Sequence, residues 1–193
     1  MRKASLHRET KETNISVSWN LDGSGKADIN TPIPFMNHML ELLTRHAYFD
    51  LQIQAAGDVE VDGHHLIEDL GIVMGTVFKQ ATGDKKGITR YGYTFLPMDE
   101  SLVMISVDIS NRPFLGFEVV YPSGLQQFDT ALIKEFLSAF VSHAGLTLHV
   151  RLLSGDNAHH IIEAIFKGLA RALAMALQYN PKEKDVPSTK GML

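Results

Sequence analysis

Apolar and polar positions alternate first with period two and then with period three to four, and the chain runs through that sequence twice. Ile15, Val17 and Trp19 alternate with Ser16 and Ser18, which predicts a half-buried strand. Asp22-Gly23-Ser24-Gly25 is a turn signal before another short strand. Pro32 and Pro34 precede Phe35-Met36-Asn37-His38-Met39-Leu40, which predicts an amphipathic helix with proline near its start. Leu51 and Ile53, spaced by glutamines, predict the next strand, and an acidic loop over 57–63 leads into a second helix. After Gly83-Asp84-Lys85-Lys86-Gly87 the pattern restarts, with strands predicted over 91–96, 102–109 and 114–121. A helix over about 130–143 follows, then a strand at 146–150 and a last helix from His159. Strands, helix, strand, helix is thus written twice. The expectation is an internally duplicated α+β fold, with residues 1–90 and 91–193 as its halves and helices packed on one sheet face.

The duplication is sharpest in one motif. His64-His65-Leu66-Ile67-Glu68-Asp69 returns as His159-His160-Ile161-Ile162-Glu163-Ala164, each opening an apolar-periodic helix. At about 100° per residue, His64 and Glu68 lie roughly 40° apart and can share one ion. His65 points about a quarter-turn away. A histidine pair plus a glutamate therefore offers ligands to two metal ions from one turn.

Arithmetic extends the repeat. Arg45-His46-Ala47 matches Ser142-His143-Ala144 at an offset of 143 − 46 = 97, and that offset carries His38 onto Glu135. If His64 and Glu68 share one ion with His160, a pseudo-twofold axis makes His159 and Glu163 share the other with His65, and Glu135 then joins the first set and His38 the second. All donors are nitrogen or oxygen, which suits Mn²⁺, with Fe²⁺, Co²⁺ and Zn²⁺ as competitors. His7, His143 and His149 read as structural.

Composition narrows the classes. With 45% apolar and 21% charged residues the chain is an ordinary globular one, long enough for a real core. A net charge of −4 and no basic stripe exclude a nucleic-acid binder. No apolar run is of membrane-spanning length, and zero cysteines rule out thiolate sites, in keeping with a cytoplasmic location.

The chain resembles the imidazoleglycerol-phosphate dehydratase family over nearly its whole length. The resemblance rests on Asn37-His38-Met39-Leu40, the two histidine-pair motifs, Pro97-Met98-Asp99-Glu100, Asp108-Ile109-Ser110-Asn111-Arg112-Pro113 and Pro187-Ser188-Thr189-Lys190-Gly191. Asn37 stands where Asp is usual, Asn111 where Gly is usual, and Glu135 where many members carry His. The resemblance implies two Mn²⁺ ions, a 24-subunit shell with active sites between subunits, and dehydration of imidazole glycerol phosphate, a small phosphorylated imidazole substrate. The carbon-bound hydrogen that leaves has no adjacent carbonyl, so metals that hold the ring as imidazolate explain how the hydroxyl is expelled. By the same resemblance Glu12 is a substrate-contacting glutamate and the preferred proton carrier, with Glu163 the alternative. Arg90, Arg112 and Lys190 match phosphate positions, helped by Ser188, Thr189, His46 and Lys167, so the tail over 180–193 belongs at the site. The rival classes are a paired-metal hydrolase, which would lean more on bridging carboxylates, and a metal-storage shell, which would not need the arginines or the Ser-Thr-Lys tail.

Overall fold

The computed structural model describes residues 2–122 and 124–193. The first half runs β1 (Lys3–Glu9), β2 (Thr13–Asn20), β3 (Ala27–Asn30), α1 (Pro34–Ala47), β4 (Asp50–Gly57) and α2 (His64–Thr82). The second repeats that order as β5 (Tyr91–Met98), β6 (Ser101–Asp108), β7 (Phe114–Glu118), α3 (Ala131–Ala144), β8 (Thr147–Ser154) and α4 (Ala158–Leu177). Each half folds into its own four-stranded sheet, ordered β1-β2-β4-β3 and β5-β6-β8-β7. The third strand of each half pairs parallel to the fourth, whereas the other pairings are antiparallel. The fold is α+β and internally duplicated.

Period-two patterning sets which sheet face is covered. Ile15, Val17 and Trp19 of β2 are buried while Asn14, Ser16 and Ser18 turn outward, and Val103, Ile105 and Val107 of β6 repeat the arrangement. The covered faces receive the helices: α2 lies on β1 and β2, α4 on β5 and β6. The helices then cross between halves, α1 against α4 and α2 against α3. One continuous apolar core results, with Trp19 at 5.7 Å from Phe49, 5.6 Å from Phe78 and 6.2 Å from Phe140, ring centre to ring centre. This cross-pairing brings a first-half helix to the second histidine pair.

The repeat offset of 97 holds for the first helix and the fourth strand of each half. α1 and α3 both have 14 residues and start 131 − 34 = 97 apart, and β4 and β8 start 147 − 50 = 97 apart. One strand is shorter than its pattern predicts: β7 ends at Glu118 instead of running to 121. It is an edge strand, with β8 as its sole ladder partner among the described residues, and Pro122 beyond it cannot donate to a ladder.

Candidate metal and phosphate site

Both histidine pairs sit in the first turn of a helix, and a polar side chain holds each turn. Asp62 accepts from the backbone N–H of His64 at 2.8 Å. Asn157 caps α4 by accepting from the N–H groups of His159 at 2.9 Å and His160 at 3.5 Å. Adjacent rings diverge identically in the two halves. The His64 and His65 planes stand at 88° with centres 6.3 Å apart, and those of His159 and His160 at 88° and 6.4 Å. One ring of each pair can therefore join a cluster while the other faces elsewhere.

His159 joins His38 and Glu163. His38 Nε2 lies 2.9 Å from Glu163 Oε1, His159 Nε2 lies 3.2 Å from the same oxygen, and all three donor atoms fall within 4.8 Å of one another. α1 supplies His38 and α4 the other two, so the cluster is a product of the cross-half helix contact. Asn37 fixes the start of α1 by accepting from the Thr31 hydroxyl at 2.7 Å and donating to the Thr31 carbonyl at 3.0 Å. An aspartate there could accept but not donate, so the amide serves both bonds. Glu163 is 8% exposed, and Lys167 donates to its Oε2 at 2.6 Å. Burial pushes this carboxyl up, but Lys167, His38 and His159 outweigh burial and bring it down to about 2.

His65 and His160 face two other groups. His65 Nδ1 lies 3.0 Å from Asp58 and 3.9 Å from Glu12. His160 Nδ1 lies 2.8 Å from Glu100 and 3.9 Å from Asp99. The hydrogen bond to Asp58, then the Glu12 charge, raises His65 above the usual imidazole range, and the bond to Glu100 does the same for His160. In return His160, then Ser101, hold Glu100 at about 2.

Of the first predicted ligand set, no three donor atoms converge among the described residues. The helix register still sets Glu135 level with Glu68. The site of Gly71 on α2, one turn past Glu68, abuts the carbonyl of Phe136, next to Glu135 on α3. His64 also shares a cavity wall with Leu132, one turn before Glu135.

The phosphate candidates divide. Arg90, Arg112, Ser188, Thr189 and Lys190 line one groove of about 730 Å³. Arg90 donates to Asp108 at 2.7 and 3.1 Å and to the Pro187 carbonyl at 2.8 Å, so one arginine ties the tail to the sheet. Arg112 reaches Asp108 at 3.4 Å and keeps most of its side chain in solvent. His46 lines a separate pocket with Arg171, and Lys167 is committed to Glu163. Burial, then the charges of Lys167, Arg171 and Arg45, lower the pKa of His46. The histidines read as structural have plain partners: His143 bonds the Ala139 carbonyl at 2.9 Å, His7 the Ser16 hydroxyl at 2.8 Å, and His149 packs on Phe114.

Sequence reasoning passed over Asp58 and Arg171, and quoted Asp108 and Glu100 only within motifs. Asp108 carried a usable signal, four residues before Arg112, and so did Asp58, six residues before the His64–His65 pair. Arg171 carried none beyond helical spacing from Lys167. Among the described residues no helix is long and apolar enough to cross a membrane.

What the fold and these groups define is an internally duplicated α+β enzyme with an imidazole–carboxylate centre and a cationic groove. The family model for imidazoleglycerol-phosphate dehydratase matches residues 31–173. The chain is 54% identical to the imidazoleglycerol-phosphate dehydratase of Bacillus pumilus, with 100% of both chains covered. It is also 54% identical to that of Azorhizobium caulinodans, over 100% of this chain and 99% of the relative. The crystal structure of the Staphylococcus aureus enzyme superposes with a TM-score of 0.82 at 43% identity, covering 92% of this chain and 99% of that one. The Pyrococcus furiosus enzyme, crystallised in complex with (S)-C348, gives 0.85 at 38% identity over 97% and 100%. The chain belongs to the imidazoleglycerol-phosphate dehydratase family, the hydro-lyases of histidine biosynthesis.

Proposed function

We propose that this chain dehydrates D-erythro-imidazole glycerol phosphate to imidazole acetol phosphate in the cytoplasm, with two Mn²⁺ ions per active site shared between subunits of a 24-subunit shell. The observation that carries the reading is the convergence of His38, His159 and Glu163 on one point. Two imidazoles and a carboxylate fit Mn²⁺ by donor chemistry. His38, His159, Glu163 and His65 would hold one ion, and His64, Glu68, His160 and Glu135 the other. Bound there, the metals would supply Lewis acidity to the substrate's ring and a template for its orientation.

The chain's own side chains do the rest. Loss of water needs a base for the carbon-bound proton and an acid for the departing hydroxyl, and the enol that remains becomes the ketone by taking a proton on carbon. Glu12 suits this work: it sits in the β1–β2 turn with over half of its side chain exposed. Glu163 suits it poorly, because a carboxyl held at about 2 and engaged by three donors is a weak base. Arg112, held to Asp108 only at 3.4 Å and mostly exposed, can clamp the phosphate, while Arg90 holds the tail so that Ser188, Thr189 and Lys190 face the same groove.

The test is a dehydration assay on metal-stripped protein reconstituted with Mn²⁺ or Zn²⁺. Formation of imidazole acetol phosphate that depends on added metal is expected, and no product from the Mn²⁺-loaded protein at saturating substrate refutes the proposal. For the shell, light scattering before and after chelation should show loss of the largest species, since ligands drawn from two subunits couple metal binding to association. An assembly unchanged by chelation refutes shared metal sites.

A further inference from the structure

The two sheets carry equivalent hairpin glutamates that have been put to different uses. β2 and β6 each have eight residues and open on a buried hydroxyl residue, Thr13 and Ser101, at an offset of 101 − 13 = 88. The same offset relates the residues just before them, Glu12 and Glu100 (100 − 12 = 88). Each hairpin approaches the second histidine of its own half's pair. Glu100 reaches it: its Oε2 lies 2.8 Å from His160 Nδ1, while its Oε1 accepts from the Ser101 hydroxyl at 2.8 Å and the Asn157 N–H at 3.3 Å. Glu12 stops 3.9 Å short of His65, and Asp58 takes the Nδ1 position at 3.0 Å instead.

We infer that Asp58 and Glu100 are positioning residues, each accepting the Nδ1–H of one paired-motif histidine and so fixing Nε2 as the nitrogen offered to a metal ion. The inference rests on the metal-centre reading proposed above. A neutral imidazole has one N–H and one lone pair, so a carboxylate on Nδ1 dictates the tautomer and the direction of the remaining donor. The arrangement also accounts for Glu12. Because Asp58 occupies His65, the hairpin glutamate of the first half is released for contact with substrate, whereas its counterpart Glu100 is fully engaged.

The test uses metal-free full-length protein, wild type and the variants Glu100→Ala, Glu100→Gln, Asp58→Ala and Glu12→Gln, each checked for fold by circular dichroism. Mn²⁺ is titrated in and the free ion read by its electron paramagnetic resonance signal. Each alanine variant should bind Mn²⁺ about 10–100-fold more weakly. Glu100→Gln should recover part of the loss, because its amide oxygen still accepts from Nδ1, and Glu12→Gln should bind as wild type does. Ring nitrogen-15 spectra of the metal-free proteins should show His160 protonated at Nδ1 in wild type and as a tautomer mixture in Glu100→Ala. Wild-type affinity in both alanine variants, or an Nε2–H tautomer in the wild type, overturns the inference while leaving the metal centre standing. A loss in Glu12→Gln equal to that in Asp58→Ala also overturns it, by making the carboxylates ligands themselves. Wild type that takes up no Mn²⁺ removes the metal centre, and the inference falls with it.

Discussion

At Gly75 α2 packs tightly on α3, and Gly75→Ala is expected to destabilise the protein although alanine is the better helix former. A Cβ at that position would meet the Phe140 carbonyl oxygen at 2.5 Å, the Ala144 nitrogen at 2.9 Å and the His143 Cβ at 2.9 Å. Two of those three atoms are backbone, so the neighbour cannot swing aside and the helices themselves must part. Helix propensity favours alanine by about 1 kcal/mol. Overpacking typically costs about 1–3 kcal/mol, and parting by even 0.5–1 Å forfeits roughly a quarter to a half of each dispersion contact along the seam. The net expectation is a loss of about 2 kcal/mol, or roughly 4–8 °C in melting temperature for a chain of this length. The assay is thermal unfolding of metal-free protein at fixed concentration and scan rate, beside Gly124→Ala, whose Cβ would meet nothing within 4 Å. A melting temperature raised or unchanged in Gly75→Ala would show that propensity decides and that the seam is loose. Because Glu68 and Glu135 lie on the parted helices, Mn²⁺ affinity should fall in the same variant.

Glu12→Gln should keep its metal and its assembly while turnover falls by about 10²–10⁴-fold, the usual contribution of a positioned acid or base; near-normal turnover would move the proton-transfer role to Glu163. Glu135→Ala should weaken one ion and spare the other and Glu135→His should retain both, while His143→Ala, which loses only a back-bond to Ala139, should leave metal content unchanged; identical metal affinities in wild type and Glu135→Ala would remove Glu135 from the ligand set. Acid should release metal early: the pKa values of His65 and His160 are raised in the metal-free chain, so protons compete for the rings above the ordinary value of about 6.5. By linkage the same two raised values stabilise the metal-free fold fully below about 6.5, and that increment is lost as pH rises through the folded-state values. Mn²⁺ affinity that stays constant from alkaline pH down to about 6.5 would contradict the early release.

The sequence carried the duplication because its signal is local. A histidine pair at the head of an apolar-periodic run needs no tertiary information, and the offset of 97 proved to be the true spacing of α1 and α3 and of β4 and β8. The convergence of His38 with His159 and Glu163 follows from the repeat once the halves are supposed to share an ion, although His65, expected in the same set, does not join it. What stayed hidden is set by contacts between distant segments. No periodicity reveals that β3 and β7 add parallel to β4 and β8, or that Gly71 and Gly75 seat α2 against α3. Arg90 matches a phosphate position by resemblance, but nothing in its local sequence says that it is buried and bound to Asp108 and Pro187. The left-handed turn at Asn111, φ 56°, shows why glycine is usual there and why asparagine is among the few residues that can stand in for it.

The two unequal members of each histidine pair bear directly on why the proposed active site would need more than one chain. Within one chain the cluster of His38, His159 and Glu163 supplies three donors, and its expected fourth, His65, is turned to Asp58 instead. His160 likewise looks toward the β5–β6 hairpin, its ring plane at 88° to that of its neighbour His159. If the fourth donor of each ion comes from another copy, every chain gives one histidine from each pair and receives one at each centre. Where such a contact is heterologous, it either closes into a ring or shell or grows without limit. Closure then depends on the angle between the two centres of a chain, which the α1–α4 and α2–α3 crossings fix. On this view the small residues at Gly71 and Gly75 serve the assembly as well as the core: they set the crossing that sets the angle. Metal occupancy, helix packing and shell closure would thus be one geometric property of the duplicated chain.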